Sequence, residues 1–316
     1  MLIGIFFSEP LTLALGANES VFEITHVYLK VMLLFSPAFI FNGILNCFVR
    51  NDGNPRLAMI AMAIGSILNI VLDYIFMYPF KRGMFGAVLA TCLSPIISMI
   101  VLLKYKIKKE NKFHIIKTKL QSRMTRDTLF IGFPSLIGEL ASGVVMIVFN
   151  MIILNLMGNI GVAAYGVVSN ISAIVISIYN GIAQGVQPLA SREYGRKNKL
   201  NVIRFFRYSM ITILIVSATI YLIIYNFADS ITLIFNNELN MQLQEIATSG
   251  LKIYFIAVFF LSFNIVISVF FTSIEKALPA FVISLLRGFL IIVPMAFLLS
   301  EIAGMSGVWQ LYLVAN

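Results

Sequence analysis

The chain has 316 residues, of which 59% are hydrophobic and 12% charged, and its net charge is +9. A soluble domain carries about 25% charged residues, so this is an integral membrane protein rather than a soluble one. The positive balance, a sign of nucleic-acid binding in a soluble protein, sits here in loops and reports topology. In chain order, Met1 to Phe7 reads as the tail of one span and Ser8 to Ser20 as a loop. Phe22 to Phe48 is a span, then a turn with Asp52, Gly53 and Pro55, then Leu57 to Tyr78 and Met84 to Leu103. The stretch Lys104 to Arg126 holds nine of the 23 Lys and Arg residues. Beyond it lie Asp127 to Leu154, Val162 to Pro188, a polar loop from Ala190 to Lys199, and Phe205 to Tyr225. A second polar loop follows, from Phe227 to Gln242; then come Ile246 to Thr272, a tight turn, Phe281 to Leu299, and an incomplete span from Gly304. Each complete span has about 20 residues or more, enough to cross a hydrocarbon core as a helix. The fold class expected is all-α integral membrane, with eight complete and two partial transmembrane helices.

Loops alternate sides, so charge can be counted by side. One set carries Arg50, Arg56, the nine basic residues of 104–126, Arg192, Arg196, Lys197, Lys199, Arg204, Arg207 and Lys276. The other carries Lys81 and Arg82 alone. This bias places the basic stretch in the cytoplasm of a plasma-membrane protein, the inner membrane for a bacterium. Cys47 and Cys92 have no metal or redox spacing, and His26 and His114 are too scattered for a metal site.

The chain matches itself at a shift near 222. Phe7 to Leu13 falls on Phe227 to Leu233, Leu29-Lys30 on Leu251-Lys252, Phe41-Asn42 on Phe263-Asn264, and Gly83 to Gly86 on Gly304 to Gly307. An even number of spans per copy makes this a parallel repeat about an axis along the membrane normal. The expected organisation is a remainder of an N-terminal lobe at 1–106, a basic linker at 107–126, and a C-terminal lobe at 127–316. The second copy starts near Thr125, so its partner would start about a hundred residues before Met1. The expectation is therefore two bundles of six helices in a full-length form, with the front of the first absent here.

Several motifs then carry a family resemblance: Asn69 to Phe76 with Asp73 inside it, Gly83 to Thr91, Gly132-Phe133-Pro134, and Gly181 to Gly195 with Gln187-Pro188 and Tyr194. Together they resemble the multidrug and toxin extrusion (MATE) family, on its DinF-like bacterial side. The resemblance implies two six-helix lobes around a central cavity. It implies export of cationic or amphipathic small molecules by alternating access, against inflow of H⁺ or Na⁺, with no other cofactor. Some members pair acids on the seventh and tenth helices. Glu139 matches the first, whereas the span Ile246 to Thr272 holds no acid, which puts a paired Na⁺ site in doubt. Other readings are a lipid-linked oligosaccharide flippase, a membrane-embedded enzyme and a channel. They would require basic cavity residues, clustered His, Asp or Ser, or a selectivity loop, and of these only Arg287 is visible. The expected partners are small molecules and the bilayer, not nucleic acid, and the expected state is a monomer.

Glu139 lies near mid-membrane, where a charge is costly and faces a cavity or a partner. It reads as a substrate or ion site, or as a structural acid neutralised by a cation. Arg287, at similar depth in its own span, is the matching cation, either paired to Glu139 or set against substrate. Asn42, Asn170, Asn180, Gln184, Gln187 and Asn264 line the cavity or bond neighbouring helices. Pro134, five residues before Glu139, reads as a movable bend, and Asp73 as an anchor near Lys81 and Arg82.

Overall fold

The computed structural model describes residues 7–14, 22–107, 113, 121–236, 239–286 and 290–315. They form ten helices: α1 (Ser8–Ala14), α2 (Phe22–Leu34), α3 (Ser36–Asn51), α4 (Pro55–Met77), α5 (Gly83–Ile107), α6 (Ser122–Gly195), α7 (Lys199–Phe235), α8 (Met241–Ser273), α9 (Ala277–Leu285) and α10 (Ile292–Ala315). Among the described residues six helices are long and apolar enough to cross a membrane, seven if α2 and α3, bent by 47°, form one span. That bend falls one residue before the Ser36-Pro37 start of α3, where proline suits a first helical turn and has no amide to offer the turn before it. The 74-residue α6 is two spans joined at Gly158, whose φ of 63° and ψ of −155° break the helical path. Gly304 (φ 54°, ψ −134°) divides α10 in the same way. These two conformations are open only to glycine at low cost. Gly304→Ala should therefore cost about 1–3 kcal/mol, read as a lower thermal midpoint of the protein in detergent, whereas Gly166→Ala, inside a helix with open space at its Cβ, should not.

The polar stretches read as loops are shorter than expected. Residues 226 to 235 continue α7, because Ile224, Ala228 and Thr232 keep one buried face at helical spacing while Asn226, Asp229 and Ser230 are exposed. Ser8 to Ala14 is likewise helical, and residues 190 to 195 complete α6 before a turn at Arg196 to Asn198. The last residues of the basic linker, Ser122 to Arg126, are the first turn of α6. Asparagines cap the new starts: the side chains of Asn54, Asn198 and Asn240 accept from the amides of Leu57, Asn201 and Leu243.

The chain divides into two compact units, Met1–Thr118 and Lys119–Asn316. In the first, Val49, Ala58, Ala61, Leu102 and Tyr105 form a core between α3, α4 and α5. Gly65 lets α4 approach α5: a Cβ there would lie 3.1 Å from the carbonyl of Ser94. In the second, α8 is the central helix. Leu251, Tyr254, Phe255 and Val258 from it join Phe149, Tyr165 and Tyr179 of α6 and Trp309 of α10 in one core. Buried hydroxyl pairs, Ser172 with Tyr254 (3.1 Å) and Ser217 with Ser262 (3.0 Å), tie α6 and α7 to it.

The internal repeat has local counterparts within each unit. Gly53 and Glu275, 222 apart, both have positive φ (105° and 61°), as do Gly83 and Gly304 (53° and 54°). Thr12 Oγ1 donates to the Ser8 carbonyl at 2.7 Å, and Thr232 Oγ1 to the Ala228 carbonyl at 2.9 Å. Ser8 bonds His26, and Thr248, 222 residues beyond His26, donates to Asp229.

Candidate functional site

The first unit has an open cleft of about 200 Å³ between α3, α4 and α5, lined by the polar residues Asn42, Asn69, Thr91, Ser94 and Ser98 together with Pro95 and apolar neighbours. Helical spacing brings the polar groups together. Thr91, Ser94 and Ser98 recur at three- and seven-residue steps on one face of α5, and Asp73 stands one turn beyond Asn69 on α4. Asn42 Oδ1, Asn69 Nδ2, Asp73 Oδ1 and Ser98 Oγ are buried and have no hydrogen-bond partner among the described residues. Pro95 adds to the set. Lacking an amide hydrogen, it leaves the carbonyl four residues earlier, on Thr91, without its helical donor. Each orphaned group costs about 1–3 kcal/mol. Carboxylate, amide, hydroxyl and carbonyl oxygens of this kind suit a proton or a hard monovalent cation.

Asp73 makes no ion pair with Lys81 or Arg82. The two cations follow the end of α4 at Met77 and are exposed, while Asp73 is held on the helix face towards α5. Asn42 is brought beside Asn69. The hydroxyls of α5 and Asn69 itself were not singled out as site residues from the sequence. Their signal is an Asn-Asp pair four apart in one apolar span and a hydroxyl stripe in the next.

The second unit holds the remaining candidates. Glu139 sits midway along the first span of α6, between Ser122 and Gly158. Its side chain is exposed, with no hydrogen-bond or ion-pair partner among the described residues. At 100° per residue, Gly132, Ser135, Glu139, Ser142 and Gly143 share one exposed stripe. Arg287 lies outside the described residues, and with it the expected Glu139–Arg287 pair. Pro134 is buried and α6 continues through it. It lines an apolar hollow of about 770 Å³ with Leu129, Phe130, Phe133 and Phe281, and Arg126 stands among the lining residues.

On the second span of α6, Asn170, Asn180 and Gln184 are exposed and Gln187 half-buried. With Ser177 they fall within about 100° of arc, forming a polar stripe along an otherwise apolar helix. Asn170 Nδ2 donates to the Gly166 carbonyl at 2.8 Å. Asn264, the repeat mate of Asn42, is half-buried on α8. Glu139 and this stripe therefore sit on exposed helix faces, not in the hydrophobic core around α8.

A model of the MatE family matches residues 1–75 and 134–298. Multidrug export protein MepA of Staphylococcus saprophyticus is 27% identical over 98% of this chain and 68% of its own length. The protein of the same name from Staphylococcus aureus is 25% identical over 100% of this chain and 69% of its own. Among solved structures, a MOP superfamily transporter from Pyrococcus furiosus superposes with a TM-score of 0.91 at 23% identity, covering 100% of this chain and 72% of that one. That likeness concerns the fold. The family match spans both units and includes Asn69, Asp73 and Glu139, and the helices around them have the length and apolarity of membrane spans. This chain belongs to the MatE family of membrane transporters.

Proposed function

We propose that the protein is a cation-coupled antiporter that exports cationic or amphipathic small molecules by alternating access, with H⁺ or Na⁺ as the coupling ion. The observation that carries this reading is the buried Asp73 carboxylate oxygen, which has no hydrogen-bond partner among the described residues and stands one helical turn beyond Asn69. A carboxylate inside a membrane span is expensive unless something neutralises it, and a proton or Na⁺ does so reversibly. The exported compound is received at exposed polar faces such as those of Glu139 and of Asn170, Asn180 and Gln184. The similarity to multidrug export proteins supports a broad small-molecule range.

Antiport requires that each ligand favour a different conformational state, because a ligand with equal affinity for both shifts nothing. In this scheme Asp73 responds to the coupling ion and Glu139 to the charge of the cargo. Glu139→Gln keeps the shape of the side chain and removes its charge. Efflux of a monovalent cationic dye should fall by about tenfold, the effect of losing roughly 1.4 kcal/mol of charge recognition, while a neutral amphipath should leave at the parental rate. Both rates are read in proteoliposomes from the same preparation. Equal loss for both compounds would remove Glu139 from cargo recognition, and unchanged rates for both would make it structural.

A further inference from the structure

The turn from α6 to α7 concentrates positive charge. Arg192, Arg196, Lys197, Lys199, Arg204 and Arg207 are all exposed, and Glu193 is the one acid between 192 and 207. That acid is engaged inside the turn. Its carboxylate accepts from Asn201 Nδ2 at 2.9 Å, Asn198 Nδ2 at 3.1 Å and Arg196 Nη1 at 3.2 Å. Lys197, Lys199, Arg204 and Arg207 have no ion-pair partner among the described residues. Lys197 also holds a φ of 58°, a conformation that glycine adopts at lower cost. The charge thus stands at a position where the backbone favours a residue that carries none.

Two of these cations sit on a face made for lipid. At helical spacing Arg204 and Arg207 share the side of α7 that presents Leu200, Ile203, Ile211 and Ile215, which are 78%, 57%, 48% and 60% exposed. This apolar stripe continues along α7, as expected for a surface against acyl chains. Arg207 lies eight residues into the helix, about 12 Å from its start at 1.5 Å per residue. Its long side chain can lay its methylenes on that surface and raise the guanidinium to the headgroup level. Tyr208, 57% exposed on the adjoining arc, has the amphipathic ring favoured at the interface.

We propose that this face binds an anionic phospholipid, its phosphate held between Arg204 and Arg207 and its acyl chains lying along Ile211 and Ile215. Guanidinium donors suit a phosphate geometrically, and the surplus positive charge around the turn adds attraction to an anionic leaflet. The apolar surface directly beyond the arginines favours a lipid over a soluble acidic partner, whose surface would leave that stripe in contact with acyl chains. This inference does not depend on the transported cargo or the coupling ion.

The test uses Tyr208→Trp as a fluorescent reporter, with the protein reconstituted in mixtures of brominated and ordinary lipid. Trp309, which is 2% exposed, supplies a constant background. Quenching by brominated phosphatidylglycerol should report binding about fivefold tighter than brominated phosphatidylcholine, the fold-change expected for one well-placed cation. The preference should vanish when Arg204→Gln and Arg207→Gln are added, and should also vanish at 1 M salt, where the Debye length falls to about 3 Å. The salt arm needs no further mutation, so it decides the matter even if the double variant folds poorly. Equal quenching by the two lipids at low salt, or a preference that persists at 1 M salt, would overturn the proposal. Loss of the preference only when an acidic soluble protein is present would favour a protein partner instead.

Discussion

Asp73→Asn should abolish dye-driven release of the coupling cation, lowering it by at least about a hundredfold in proteoliposomes. The magnitude follows from the site. One oxygen of Asp73 is buried without a partner among the described residues, one helical turn beyond the lining residue Asn69, and a cation can neutralise it. Asparagine keeps the volume and one acceptor oxygen but can neither lose a proton nor offset a sodium charge. Losing about 3 kcal/mol of cation binding is a factor of roughly a hundred at 1.4 kcal/mol per decade. The stability of the protein should rise or stay level, since an orphaned carboxylate becomes a neutral amide. The combination of lost coupling with preserved or raised thermal midpoint separates this role from a structural one. A lowered midpoint with coupling intact would return Asp73 to the role of an anchor.

Trp309→Ala should destabilise the second unit by about 3–5 kcal/mol. Trp309 is 2% exposed and packs against Tyr165, with ring centroids 6.3 Å apart. Its indole also rests directly on Gly250, where an added Cβ would lie 2.7 Å from Cζ2 and 2.8 Å from Cε2. Gly250 is accordingly the position on α8 at which α10 can come close. Gly250→Ala alone should cost about 1–3 kcal/mol through overpacking. Combined with Trp309→Phe, whose ring is smaller, it should cost less than the two single changes added together, because both act on one contact. Thermal midpoints of the four proteins in detergent check the cycle. Strict additivity would mean that the indole and the glycine are independent.

Much of the architecture was legible in the sequence because the bilayer imposes long apolar helices and leaves few alternatives. The pair Gly83 with Gly304 shows why part of the self-match was readable, since that shared landmark falls where the backbone takes an unusual conformation. Gly53 and Glu275 share such a conformation without sharing a residue type, so that correspondence was not visible in the sequence. Helix ends were less legible. The polar residues after Tyr225 look like a loop by composition, yet Ala228 and Thr232 remain buried and the helix runs to Phe235. Composition does not distinguish a polar loop from the solvated face of a helix that extends past the membrane. The site divides in the same way. Glu139 stands out in sequence because a lone acid in an apolar span is rare. Asn69, Thr91, Ser94 and Ser98 are ordinary in isolation, and they become a cleft only when Gly65 lets α4 and α5 close upon each other.

The break at Gly158 bears on how the protein enters its membrane. The segment from Asn155 to Gly161 contains no charged residue, and the two spans of α6 meet there with almost no intervening loop. Carrying such a turn through hydrocarbon during biosynthesis requires no ion to be dehydrated. Both spans can therefore be inserted together, as a helical hairpin, with Arg123 and Arg126 retained at one root and Arg192 and Arg196 at the other. The pair then needs no orientation signal from the segments that precede it.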